Sequence, residues 1–266
     1  MGILAGGVCC CLKNPRLGSM AWVNYSWIQN SNFRVEYSPK SFQIRIFDYS
    51  WRPYTNHQLY RPIIVDTHKG TSISSLADIA CNILEDSPFN PSNPPCVYFV
   101  AGLPDITHKE QGPYYQEIIF IETPQEAVDR VMTLLSNAQI KILNANAIPI
   151  FSTIAPMSLQ TWNSVRLQQQ KTSHLLHSHQ YEDMQELLID TTIAINKQII
   201  EINSIVNMHT PKLGEEIIHK PGANRSHRTR YGRLVDGVHL CPESNLAWAD
   251  TLLDTIIRNG PPTSQS

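Results

Sequence analysis

TPQEAVDRVMTLLSNAQIKILNANAIPIFSTIAP (residues 123–156) is the stretch whose reading decides the fold. Thr123 stands at an N-cap position, Pro124 at the first helical position and Glu126 three residues after the cap. That combination is a capping box with the proline whose missing N–H costs a first turn nothing, so a helix begins there. The helix runs out near AN at 145–146, and AIPIFSTIAP (147–156) follows as a continuous apolar run. A run of that kind suits a strand covered on both faces.

Working outward, the same alternation recurs. CVYFVAG (96–102) is a second buried strand, reached through the breaker-rich loop PFNPSNPP. RPIIVD (61–66) reads as a short buried strand, and Thr71 to Glu85 carries Ile73, Leu76, Ile79 and Ile83 at helical spacing. SFQIRIFDY (41–49) alternates as a strand does. Polar helices are expected over roughly 160–178 and 181–207, and SNLAWADTLLDTIIRN supplies a last one. Strands joined by helices of ten or more residues cannot be hairpin partners, so the expected class is α/β, with a mainly parallel central sheet in a three-layer α/β/α arrangement. One domain is expected over 18–260, with tails at 1–17 and 261–266.

Composition narrows the functional classes. With 42% apolar and 17% charged residues and a net charge of −2, the chain has no global field drawing it to nucleic acid. No apolar run reaches about 18 residues, which argues against a membrane-spanning helix. Six cysteines, at 9, 10, 11, 81, 96 and 241, form no C-x-x-C pair, so cytoplasmic residence is expected. The opening MGILAGGVCCCLKNPR lacks the basic segment of a signal peptide. Gly2 and the cysteine triplet allow lipid anchoring, but Gly6 stands where a myristoylation signal carries Ser or Thr. His174, His177 and His179 do not share one helix face, so a solvated face is expected there in place of a metal site. Lys220, Arg225, Arg228, Arg230 and Arg233 read as a solvated basic loop.

In a parallel sheet, ligands bind beyond the carboxyl ends of the strands. THKGTS, AGLPDIT and STIAPM all lie there, and Asp236 and His239 sit in the turn DGVHL just before the last helix. Order and content together resemble the SGNH (GDSL-type) hydrolases, over about residues 50–260. VDGVHL is similar to that family's D-x-x-H block, THKGTSI to its glycine block and VYFVAGLPDIT to its G-x-N-D block. The resemblance implies a flavodoxin-like strand order and a serine esterase acting on a small-molecule ester without metal or organic cofactor. In it His239 is the base, Asp236 orients His239, Gly70 lends an oxyanion N–H, and Gly102 and Asp105 match the third block. Pro104 stands where the family's Asn donates a second oxyanion hydrogen bond, and proline can donate none.

No G-D-S occurs in the chain. Ser50, in RIFDYSW, follows the better strand, and Ser26, in AWVNYSW, leaves more room before Gly70. The better strand favours Ser50. The rival reading is a catalytically inactive SGNH-like domain serving binding or assembly, of the kind found in retroelement-type proteins. Oligomeric state is not legible.

Overall fold

The computed structural model describes residues 2–6, 33–38, 43–48, 63–67, 71–86, 94–111, 116–170, 177–215, 217–219, 228–229 and 231–259. The chain divides into two compact units, Met1–Ala101 with Leu134–Phe151, and Gly102–Thr133 with Ser152–Ser266.

The first unit holds a six-stranded sheet. In chain order its strands are β1 (Gly2–Gly6), β2 (Phe33–Ser38), β3 (Gln43–Asp48), β4 (Ile63–Thr67), β5 (Cys96–Val100) and, after an unrelated hairpin in the second unit, β8 (Ile148–Phe151). The spatial order is β2-β3-β4-β1-β5-β8. β4, β1, β5 and β8 are mutually parallel, and β2 and β3 add an antiparallel edge. Second, first, third, fourth is the flavodoxin-like order of parallel strands, so the expected α/β class with a mainly parallel sheet holds.

Gly2–Gly6, read as part of a tail, is instead a central strand, hydrogen-bonded to β4 on one side and β5 on the other. Five residues containing two glycines and an alanine carry little strand propensity of their own, so pairing on both sides must supply the order. The run 147–156 also resolves differently: only Ile148–Phe151 is strand, and the rest belongs to the second unit.

β5 and β8 are apolar throughout because both faces are covered. Val97, Tyr98, Phe99, Ile150 and Phe151 are buried, and Phe99, paired in register with Phe151, stacks on it at 5.1 Å. Helix α1 (Ile73–Glu85) is capped by the Ser72 hydroxyl and buries Ile73, Leu76, Ala77, Ala80 and Leu84. It packs on β1 and β5. With α3 spanning Pro124–Asn144, the crossovers β4–α1–β5 and β5–α3–β8 both advance the same way across the sheet, so right-handed connection lays α1 and the C-terminal half of α3 on one face. Their contact follows: Lys141 Nζ meets Asp78 Oδ1 at 2.5 Å, and Cys81 lies 3.9 Å from the Lys141 carbonyl.

The second unit is helical around a small hairpin. Its elements are α2 (Leu103–Ile106), the hairpin β6 (His108–Gln111) and β7 (Gln116–Ile119), the start of α3, α4 (Leu159–Gln170) and α5 (Tyr181–Ile205). A two-residue pair follows, β9 (Ile218–His219) with β10 (Arg228–Thr229), and then α6 (Pro242–Arg258). The capping box forms as expected: Thr123 N–H donates to Glu126 Oε2 at 3.0 Å and Glu126 N–H to Thr123 Oγ1 at 3.3 Å. Among the described residues no helix is long and apolar enough to cross a membrane.

Residues 152–159 are buried yet mostly irregular, so their backbone polar groups need partners. Helix α5 supplies them. Asn196 donates to the Ile154 carbonyl (2.8 Å) and accepts its N–H (2.6 Å), and Gln185 donates to the Met157 carbonyl and accepts from Leu159 N–H, both at 2.9 Å. Side-chain amides thereby satisfy backbone groups that no strand partner reaches.

Candidate functional site

Three of the segments expected at the ligand edge form one continuous structure within the second unit. Gly102, with φ +119°, turns the chain into α2, and a Cβ there would collide with the Ile154 side chain. Ile154 belongs to the buried segment that leads to Ser158, the N-cap of α4, whose hydroxyl accepts from Thr161 N–H at 3.2 Å. Ser158 N–H then donates to the Gly237 carbonyl at 2.7 Å, fastening the D-G-V-H turn to the helix. Gly237 has φ +90°, and a Cβ on it would lie 2.6 Å from both Ser158 O and Trp162 N. Only glycine permits that approach.

The turn is closed across its neck. Val235 N–H donates to the His239 carbonyl at 2.6 Å, Cys241 N–H to the Arg233 carbonyl at 2.8 Å, and Leu234 bridges Leu240. Within it the two oxygens of Asp236 do different work. Oδ1 accepts backbone N–H groups from Val238 (3.1 Å) and His239 (2.8 Å), which is the helix-entry turn. Oδ2 meets His239 Nδ1 at 2.6 Å. Structural turn and oriented imidazole therefore coexist in one carboxylate.

Burial pushes the Asp236 carboxyl up. The hydrogen bond from the His239 ring, the backbone N–H of His239 and Val238 and the imidazole's charge outweigh that and hold it below the ordinary carboxylate range. With a carboxylate on Nδ1, the neutral ring keeps its proton there and presents Nε2 as the base. The His239 side chain is 23% exposed, so the ring is partly open to solvent. Trp162 lies beside the ring, centroids 5.8 Å apart and planes tilted by 48°, and the guanidinium of Arg166 sits 4.4 Å over the Trp162 ring. Neither residue is among those expected from the sequence. The readable signal was their i, i+4 spacing, which puts both on one helix face.

Pro104 lies in the first turn of α2. Asp105 is buried, its N–H bonded to the Gly102 carbonyl and its carbonyl accepting from Arg130, so its backbone serves this loop. Gly70, Ser26 and Ser50 lie outside the described residues. Strand β3, which favoured Ser50, runs antiparallel to β4 with Ile46 opposite Ile63, and ends at the amino edge of the parallel strands. The strand that ends at the carboxyl edge, between β4 and β5, is β1.

Among the described residues no group of three His, Cys, Asp or Glu side chains could hold a metal ion. His177 pairs instead with Glu110 of β6, Nε2 to Oε2 at 2.7 Å, and the neighbouring Tyr181 donates to Glu117 of β7 at 2.5 Å. These bonds tie the hairpin to the start of α5. Burial lowers the His177 pKa, but hydrogen bonds to Glu110 and Gln180 and the charges of Glu110 and Glu117 raise it above its ordinary value. A raised folded-state pKa stabilises fully below the unfolded value and loses that effect as pH rises through the folded one. Glu110→Gln is therefore expected to lose more stability at pH about 5.5 than at about 8.5. Urea denaturation at the two pH values measures the difference, and an equal loss would refute the pairing.

The fold and the turn define an α/β protein with a flavodoxin-like parallel sheet and a carboxylate-oriented histidine. No protein-family model and no curated protein matches the chain. Solved structures that resemble it include a GDSL-like lipase from Bacteroides thetaiotaomicron VPI-5482, 13% identical over 74% of this chain and 74% of that one, with a TM-score of 0.39. Another is a member of the lipolytic protein G-D-S-L family from Veillonella parvula DSM 2008, 11% identical over 73% and 81%, with a TM-score of 0.40.

Proposed function

We propose that this chain is a divergent SGNH-type hydrolase that cleaves a carboxylic ester, with His239 as general base and Asp236 orienting it. The observation that carries this reading is the 2.6 Å contact between Asp236 Oδ2 and His239 Nδ1 on a part-exposed ring. A turn needed only for helix entry would require Oδ1 alone. The imidazole takes the nucleophile's proton as the nucleophile attacks the ester carbonyl, then returns it to the departing alcohol. Water repeats the cycle on the acyl-enzyme.

The nucleophile in this reading belongs to the connection that follows β1, because ligands bind beyond the carboxyl ends of parallel strands. Ser26 belongs to that connection. So does Cys9, in Gly7-Val8-Cys9, which follows β1 directly and has glycine in the first position of the G-D-S pattern. Ser50 follows the antiparallel β3 and is the weaker candidate. One oxyanion donor is missing at Pro104, for which a loss of about 10²–10³ in rate is expected relative to an enzyme that has it.

The test combines a fluorophosphonate and an iodoacetamide probe with peptide mapping. Labelling at Ser26 or Cys9 that falls in His239→Ala is the expected result. Labelling at Ser50 would move the nucleophile, and a folded protein that neither probe labels in a His239-dependent way would favour a non-catalytic binding module.

A further inference from the structure

Within its own turn the His239 ring is held by one contact, Asp236 Oδ2 to Nδ1 at 2.6 Å. A single hydrogen bond tolerates a tilt of about 30° from linear, and the imidazole's own torsion is broad. A tilt of that size carries Nε2, on the far side of the ring, through about 1 Å, and a misplacement of about 1 Å can cost about 10²-fold in rate. Keeping Nε2 on a nucleophile therefore calls for a second support. Helix α4 brings one. Gly237 lets the turn lie against the backbone N–H of Trp162, which donates to the Ser158 carbonyl at 3.0 Å. From that fixed backbone the indole reaches the imidazole, and a centroid separation of 5.8 Å lies within the roughly 4.5–7 Å over which aromatic rings interact. Arg166, one helical turn further on, stacks on the same indole at 4.4 Å and backs it. Backbone contacts at Gly237 and Ser158 already dock the turn, so the indole adds what docking does not require, a wall beside the ring.

We infer that Trp162 is a positioning residue for His239: its indole limits the tilt that the single Asp236 contact leaves open, and so keeps Nε2 aimed at the nucleophile. This rests on the esterase reading for the nucleophile, but the holding of the ring is measurable without turnover.

The test uses the full chain with carbon-13-labelled histidine, His239 being assigned by the ring signals that His239→Ala removes. In the wild-type protein a nuclear Overhauser effect should connect the Trp162 and His239 ring protons, and its absence would overturn the assignment. Trp162→Leu should lower the order parameter of the His239 ring, and Trp162→Phe, which keeps an aromatic wall, should preserve it. Trp162→Met, closer to the indole in reach, answers the same question if the leucine variant does not fold. Hydrolysis of 4-nitrophenyl butyrate then reports the consequence. In Trp162→Leu kcat should fall about tenfold with KM within about twofold, because aim is lost and binding is not, and Trp162→Phe should restore most of the rate. Loss of ring order in a protein whose wild type hydrolyses no ester keeps the indole as the ring's support and removes the esterase reading. Ring order unchanged in Trp162→Leu overturns the assignment whatever the rate does, and hydrolysis by the wild type then upholds the esterase reading alone. Ring order lost with kcat unchanged overturns it as well, since the tilt would not matter to the reaction.

Discussion

Asp236→Asn is expected to lower kcat for an activated ester by about 10⁴-fold in a protein that still folds, with the loss of only the stabilisation that the ionised carboxylate contributes. The two oxygens of Asp236 make that separation possible. An asparagine keeps an Oδ1 that accepts from Val238 and His239 N–H, so the turn survives. Its amide nitrogen then faces His239 Nδ1, where Oδ2 accepted the hydrogen bond from the ring N–H. A donor there forces the proton onto Nε2, and an imidazole protonated at Nε2 cannot take a proton from a nucleophile. His239→Ala removes the base outright and sets the floor for comparison. A fall of less than tenfold in a folded Asp236→Asn protein would mean that Asp236 serves the turn alone. Acid should act on the same contact. A carboxyl whose folded pKa is depressed stabilises above its unfolded pKa, and that contribution is lost as pH falls through the folded one.

Gly237→Ala is expected to destabilise the protein by about 3 kcal/mol or more, a Tm drop of about 6–12 °C. Two costs combine. At φ +90° an L side chain is strained whatever the space around it. The new Cβ would also lie 2.6 Å from Ser158 O and Trp162 N, and both are backbone atoms at the capped start of α4, where no side chain can swing aside. Relief requires the turn to lift, which breaks the 2.7 Å bond from Ser158 N–H to the Gly237 carbonyl and takes His239 away from Trp162. Differential scanning calorimetry measures the loss. A change below about 1 kcal/mol would show that the turn is not pressed on the helix as described.

Much of this was legible locally. The α3 start could be read because a capping box is satisfied within four residues, whatever the rest of the chain does. β5 and β8 could be read because strands covered on both faces must be apolar throughout. Asp236 and His239 could be paired because a three-residue spacing in a turn limits where their side chains go. β1 could not be read. Its small, glycine-rich residues have no pattern of their own, and only hydrogen bonds to β4 and β5, residues 63–67 and 96–100, make it a strand.

The sequence alone therefore determined the elements whose cause is local: helix starts, buried strands, and the acid–base turn. Direction and adjacency were decided by tertiary structure. SFQIRIFDY reads the same in a parallel or an antiparallel neighbour, because alternation records which side chains are covered and not which way the chain runs. Trp162 and Arg166 join His239 only because Gly237 lets backbone approach backbone across more than seventy residues of chain, a contact that no local pattern encodes.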